Sequence, residues 1–198
     1  DLLQLCAQKY AELCYYTYDC TIARKNTAID LHFTFSPYEF RHLAGLHRLE
    51  HDRLRSNSER VFKDILSCKL TLADLRQAHN WSAESEKILS RLEALSQLDT
   101  LMDEFLLLYG FSGEKLAAQT PPLRTKIDAD YLIKTSFLLV HLFFSVKQKD
   151  GYCGRSLFIN NELDYSRGQT KFTLLEKTKT NLRTGEQILL YRRSTYQK

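Results

Sequence analysis

The hydrophobic period changes twice along this chain, and that change limits the fold more than any single motif. Leu2 to Tyr15 carries apolar residues at helical spacing. The stretch from Tyr15 to Arg24 is then rich in Tyr, Thr and Ile, which favour strands. A Lys-Asn-Thr turn separates it from Ala28–Phe35, where Ile29, Leu31, Phe33 and Phe35 point one way and Asp30, His32 and Thr34 the other. Two strands joined by such a turn predict a hairpin. From Asn57 to Leu108 the period is helical throughout, with Ser or Thr caps opening its segments. Beyond Ile127 strand grammar returns, with turn signals at Asp150-Gly151 and Thr184-Gly185. Strands, helices and strands again predict an α+β fold. We expect an antiparallel C-terminal sheet of four or five strands, an N-terminal hairpin that joins or flanks it, and a helical middle subdomain.

One generous domain spanning 1–198 suits the length, with 57–120 as a helical insertion or subdomain. A loop is expected at Thr120–Pro122, and near Lys134 to Ser136 either a tight turn between two strands or a bend from one strand into the next. The most apolar run, Phe137 to Val146, has ten residues and contains a histidine. A spanning helix needs ~20 apolar residues, so no membrane partner is expected. No basic start or cleavage site marks a leader, and a cytoplasmic location is the expectation. Five cysteines without a C-x-x-C pair point to free thiols in a reducing compartment rather than to a zinc site.

Charge is uneven. Asp1 to Leu123 holds 14 basic and 17 acidic residues, and Arg124 to Lys198 holds 14 basic and 7 acidic. A basic C-terminal third can attract a polyanion, or it can simply keep the protein in solution.

No phosphate loop, dinucleotide fingerprint, nucleophile elbow or HExxH zinc motif is present. Attention falls on "FTFSPYEFRHLAGLHRLEHDR", Phe33 to Arg53. Ser36, Pro37 and Glu39 form a strong helix start. Three histidines follow: His42, His47 and His51. The last two are four apart, a spacing that could hold a metal, but Arg48, Arg53 and Arg55 surround them with positive charge. No metal and no other cofactor is expected. On a continuous helix His42 and His47 lie about 140° apart at ~100° per residue. That phase makes His42 the functional histidine facing the sheet and leaves His47 and His51 incidental on an exposed face. Gly45 could break the helix and with it this argument. His42 is otherwise a buried polar residue satisfied by a backbone carbonyl. The C-terminal strands add Arg155, Ser156, Tyr165, Arg167, Gln169, Thr170, Lys171 and Thr173, a set able to hold a phosphodiester or to form an ordinary solvated face.

Taken in order, "FTFSPYEFRHLAGL", "IDADYLI", "GRSLFI" and "DYSRGQTKFTLLEKTKTNLRTGEQILLY" resemble the phage-associated barnase–EndoU–colicin–RelE nuclease-like families, most closely the fourth. The sharpest piece is Phe40, His42, Leu43, Gly45 and Leu46. The resemblance covers roughly Leu5 to Tyr191. It implies an RNase/RelE-like sheet packed on N-terminal helices, of phage or mobile-element origin. It also implies metal-independent RNA cleavage, possible toxicity, and a cognate antitoxin or immunity protein as partner. Of the site, the resemblance carries over only His42. The chemistry suggests Arg155 and Lys171 for phosphoryl charge, Tyr165 and Thr173 for positioning, and Arg41, Ser156, Arg167 and Gln169 as nucleic-acid contacts. The rival expectation is an inactive RNA- or protein-binding module with the same fold.

Overall fold

The computed structural model describes residues 1–119, 127–135, 140–146, 151–159 and 163–196. Its N-terminal half starts with helix α1 (Leu2–Leu13), whose first turn is capped by Asp1 accepting from the Leu3 N–H at 2.8 Å. Strands β1 (Tyr16–Arg24) and β2 (Thr27–Thr34) follow as an antiparallel hairpin. Lys25 and Asn26 turn it with φ of 48° and 66°, the left-handed pair that matches strand twist. Helix α2 (Pro37–Leu43) begins where the sequence signals it, with the Glu39 carboxylate accepting from the Ser36 N–H at 2.6 Å.

Helices α3 (Ser58–Leu66), α4 (Leu72–Leu75), α5 (Trp81–Leu95) and α6 (Leu98–Glu104) come next. The helical period read through to Leu108 is cut short: Leu107–Gly110 is a strand, β3. A four-residue apolar run carries no period of its own, so only its neighbours decide its state. Helix α7 (Gly113–Gln119) and strands β4 (Tyr131–Lys134), β5 (His141–Val146), β6 (Tyr152–Phe158), β7 (Thr170–Asn181) and β8 (Gln187–Arg192) complete the order. The loop at Thr120–Pro122, Ser136 of the expected turn and Asp150 of the Asp-Gly turn lie outside the described residues.

The expected open antiparallel C-terminal sheet is not what forms. Strand order is β1-β2-β6-β5-β4-β3-β7-β8, and β1 also pairs with β7. The first seven of these close into a mixed barrel, with β8 attached outside the ring along β7. The β2–β6 pair is parallel, through Phe33↔Tyr152 and Thr34↔Cys153, while the other pairs are antiparallel. The hairpin therefore sits between β6 and β7, which a simple meander would have made neighbours. Closure removes the edges that an open sheet would leave unpaired.

One apolar cluster runs through barrel and helices. Phe33 meets Phe144 at 4.6 Å between ring centroids. Tyr10 of α1, Phe40 of α2 and Phe62 of α3 continue it as a chain of rings at 5.4 and 5.0 Å. Helix α2 lies directly on β6, because a Cβ at Gly154 would meet Leu43 at 3.2 Å. Among the described residues no helix is long and apolar enough to cross a membrane. None of the five cysteines forms a disulfide.

Candidate functional site

The end of α2 decides the geometry. The helix stops at Leu43, and Gly45 follows with φ of +75°, a conformation that L side chains rarely adopt. A 3₁₀ turn, Leu46–Arg48, then takes the chain in a new direction. The calculated 140° separation of His42 and His47 applies to a continuous helix and is not realised. Their rings instead meet edge to face, 4.0 Å between centroids. Both residues are exposed, so His42 is not the buried core histidine that its apolar neighbours allowed. His51 lies elsewhere: its Nδ1 accepts from the Arg53 N–H at 3.3 Å and caps the next turn.

Arginines surround the pair. His42 and Arg155 line one cleft between α2 and β6, together with Tyr38, Glu39, Cys153 and Gly154. Arg155 is held there by Nε donating to the Ser145 hydroxyl. Arg91 of α5 packs against the Gly45 backbone, where an added Cβ would lie 2.7 Å from its Nη1. It is 5% exposed, and its guanidinium lies 4.9 Å from the centre of the Phe158 ring. A second cleft is formed by Arg48, Lys87, Ser90, Arg91, Phe158 and Tyr165. Tyr165 stacks on Phe158 at 5.3 Å. Its turn is fixed by Asp164, which accepts from Lys134 Nζ at 2.8 Å and from the Ser166 hydroxyl at 2.6 Å. Glu84 lies 3.7 Å from Arg48 and 3.6 Å from Lys87, the counter-charge of this face.

The titration of these groups follows from burial and like charge. His47 is pushed down to about 4, first by loss of hydration and then by His42, Arg91 and Arg48. His42 is also lowered, by desolvation and by Arg155, Arg41 and Arg91. Burial and the charge of Arg48 bring Arg91 down to about 10. Both imidazoles are thus neutral at pH 7 and able to accept a proton. They also make the folded state resist protonation below the ordinary histidine value of 6.5. The unfolded chain binds more protons between that value and about 4, so stability is full above pH 6.5 and is lost as pH falls. Thermal unfolding followed between pH 7 and 4 should show this loss, with a shallower slope in His47→Gln. An unchanged slope in that variant would assign the acid sensitivity to other groups.

Of the residues singled out in the sequence, His42, Arg155 and Tyr165 line these two clefts. Arg41 lies close enough to lower His42, but its Nη1 donates to the Ser56 carbonyl at 3.1 Å and fixes the following loop. Ser156 is half-buried on β6 opposite Phe143. Lys171 and Thr173 are exposed on β7, paired with Tyr109 and Leu107 of β3. In the ring β7 is at least three strands from β6 by either route, so these two do not line the cleft of Arg155. Gln169 clamps Ser112, accepting from its N–H and donating to its carbonyl, both at 2.9 Å. Arg167 is exposed in the turn before β7.

The sequence reading missed His47, Arg48 and Arg91. A signal for Arg91 was present: with Ile88, Leu92 and Leu95 it forms the buried stripe of α5, and an arginine on an apolar stripe has a reason to be there. His47 was legible only through the consequence of Gly45. Among the described residues no group of three or more His, Cys, Asp or Glu side chains could hold a metal ion. The set is two neutral imidazoles beside several fixed positive charges, suited to proton transfer next to an anion. The family model described as phage-Barnase-EndoU-ColicinE5/D-RelE like nuclease4 matches residues 2–194. No curated protein and no solved structure matches the chain.

Proposed function

Since the chain belongs to the phage-associated barnase–EndoU–colicin E5/D–RelE-like nuclease family 4, we propose that it is a metal-independent endoribonuclease with His42 and His47 at its centre. The observation that carries this reading is their ring contact at 4.0 Å beside Arg91 and Arg155.

The reaction is a transesterification. One neutral imidazole takes the proton of the ribose 2′-OH, and the freed oxygen attacks the adjacent phosphorus. The bond from phosphorus to the 5′ oxygen breaks, and that oxygen leaves with a proton from the second imidazole. The products are a 2′,3′-cyclic phosphate and a 5′-hydroxyl. In the free protein both histidines are neutral at pH 7, which supplies the base and not the acid. A phosphodiester docking among Arg155, Arg91 and Arg48 cancels much of the charge that depresses them. It then favours one proton on the pair. Arg155 and Arg91 stabilise the charge that grows on the phosphoryl oxygens. Phe158, Tyr165 and the Arg91 guanidinium offer planar groups for an adjoining base. The same positive charges oppose a resident cation, which supports a reaction without metal.

RNA is the substrate this chemistry needs, because DNA lacks the 2′ nucleophile. RNA cleavage in a host cell suits a toxin of phage or mobile-element origin, controlled by an antitoxin or immunity protein. The test is incubation with total RNA in excess chelator, followed by mapping of cut ends. Cleavage to 2′,3′-cyclic phosphate ends is expected, with none at a site carrying a single 2′-deoxy substitution. RNA binding without cleavage would replace this reading by that of an inactive binding module.

A further inference from the structure

Strand β8 hydrogen-bonds to β7 along one side, and among the described residues no strand pairs with its other edge. Every residue from Leu182 to Leu189 is exposed, Ile188 by 46% and Leu189 by 50%. Gln187 to Tyr191 contains no charge and no proline. Natural edge strands are usually blunted by such residues, because a free apolar edge recruits another strand. The strands of the ring each have a neighbour on both sides, if only a short one between β2 and β6, whereas β8 has one on a single side among the described residues.

The two ends of the strand differ in charge. Exposed Glu186 precedes it; Arg192, whose Nε donates to Glu176 of β7 at 2.6 Å, ends it, and exposed Arg193 follows. An acidic strand from another protein would be attracted at one end and repelled at the other. A strand of the same sequence running antiparallel satisfies both ends. We propose that β8 is the pairing edge for β8 of a second copy of this chain, making a two-fold dimer centred on Leu189. About that centre Leu189 lies opposite its own equivalent, and Ile188 lies opposite Leu190 of the second copy. Glu186 meets the Arg192–Arg193 end of the second copy at both ends of the ribbon. Cross-strand apolar and opposite-charge pairs of this kind each favour association. Because β7 and β8 lie across the ring from β6, the two clefts beside it stay open in the dimer.

Sedimentation over a wide range of concentration should show reversible dimers. Leu189→Lys should be monomeric with unchanged thermal unfolding, and Glu186→Arg should weaken the dimer by tenfold or more. In a Cys68→Ser background, which removes the exposed thiol, Leu189→Cys should form an intermolecular disulfide on mild oxidation. A parent that stays monomeric at every concentration overturns the proposal. A dimer that survives Leu189→Lys, or one in which Leu189→Cys does not cross-link, overturns it as well.

Discussion

His42→Ala and His47→Ala should each slow RNA cleavage by roughly 10²- to 10⁴-fold, the usual contribution of a positioned acid or base. The histidines form one proton-transfer unit, so the double variant should be little slower than either single one. Neither change should unfold the protein, because both side chains are exposed. His51→Ala should keep the parent rate, since that ring only caps a turn. Initial rates on a short RNA, read beside thermal unfolding, check all four variants. A parent-like rate in His47→Ala would remove the pair from the chemistry. The geometry here reverses what helix phase alone suggests, which is that His47 is dispensable.

Lys177→Met should cost about 2–3 kcal/mol of stability, because the carbonyls that accept from its ammonium lose their donor. Lys177 is fully buried on β7. Its Nζ donates to the carbonyls of Met102, Asp103 and Phe105 at 3.0, 2.6 and 2.9 Å, and lies 4.0 Å from the centre of the Phe105 ring. It thereby caps the C-terminal end of α6, where helix carbonyls lack intrahelical partners. Burial brings its ammonium down to about 8, so it is still charged at neutral pH. Methionine fills similar volume and donates nothing, leaving three buried carbonyls without this partner. Total stabilities of domains are ~5–15 kcal/mol, so urea unfolding should show a large fall in midpoint. A loss under about 1 kcal/mol would mean that water or another group satisfies these carbonyls. Cleavage by the folded fraction should be unaffected, because β7 is across the ring from the histidines.

The sequence by itself determined the elements whose causes are local. Helix α1, the hairpin turned at Lys25-Asn26, the start of α2 at Ser36 and the strands after Ile127 all follow from period, cap or turn chemistry within a few residues. It also held three residues of the clefts, His42, Arg155 and Tyr165, because their side-chain chemistry is visible without a fold. Tertiary structure decided the rest. Alternation shows that a strand has two faces, but not which strand will satisfy each edge. The parallel β2–β6 and antiparallel β1–β7 pairs that close the barrel were therefore not legible. The same limit hid β3, whose four residues become a strand only between β4 and β7. At the candidate site the deciding residue is Gly45. Its left-handed conformation ends the helix and brings His47 to His42, while its missing Cβ leaves room for Arg91 from an element over forty residues away. A glycine in a sequence announces that a break is possible. Which way the chain turns afterwards, and what enters the space, is set by the packing of α5 and β6 around it.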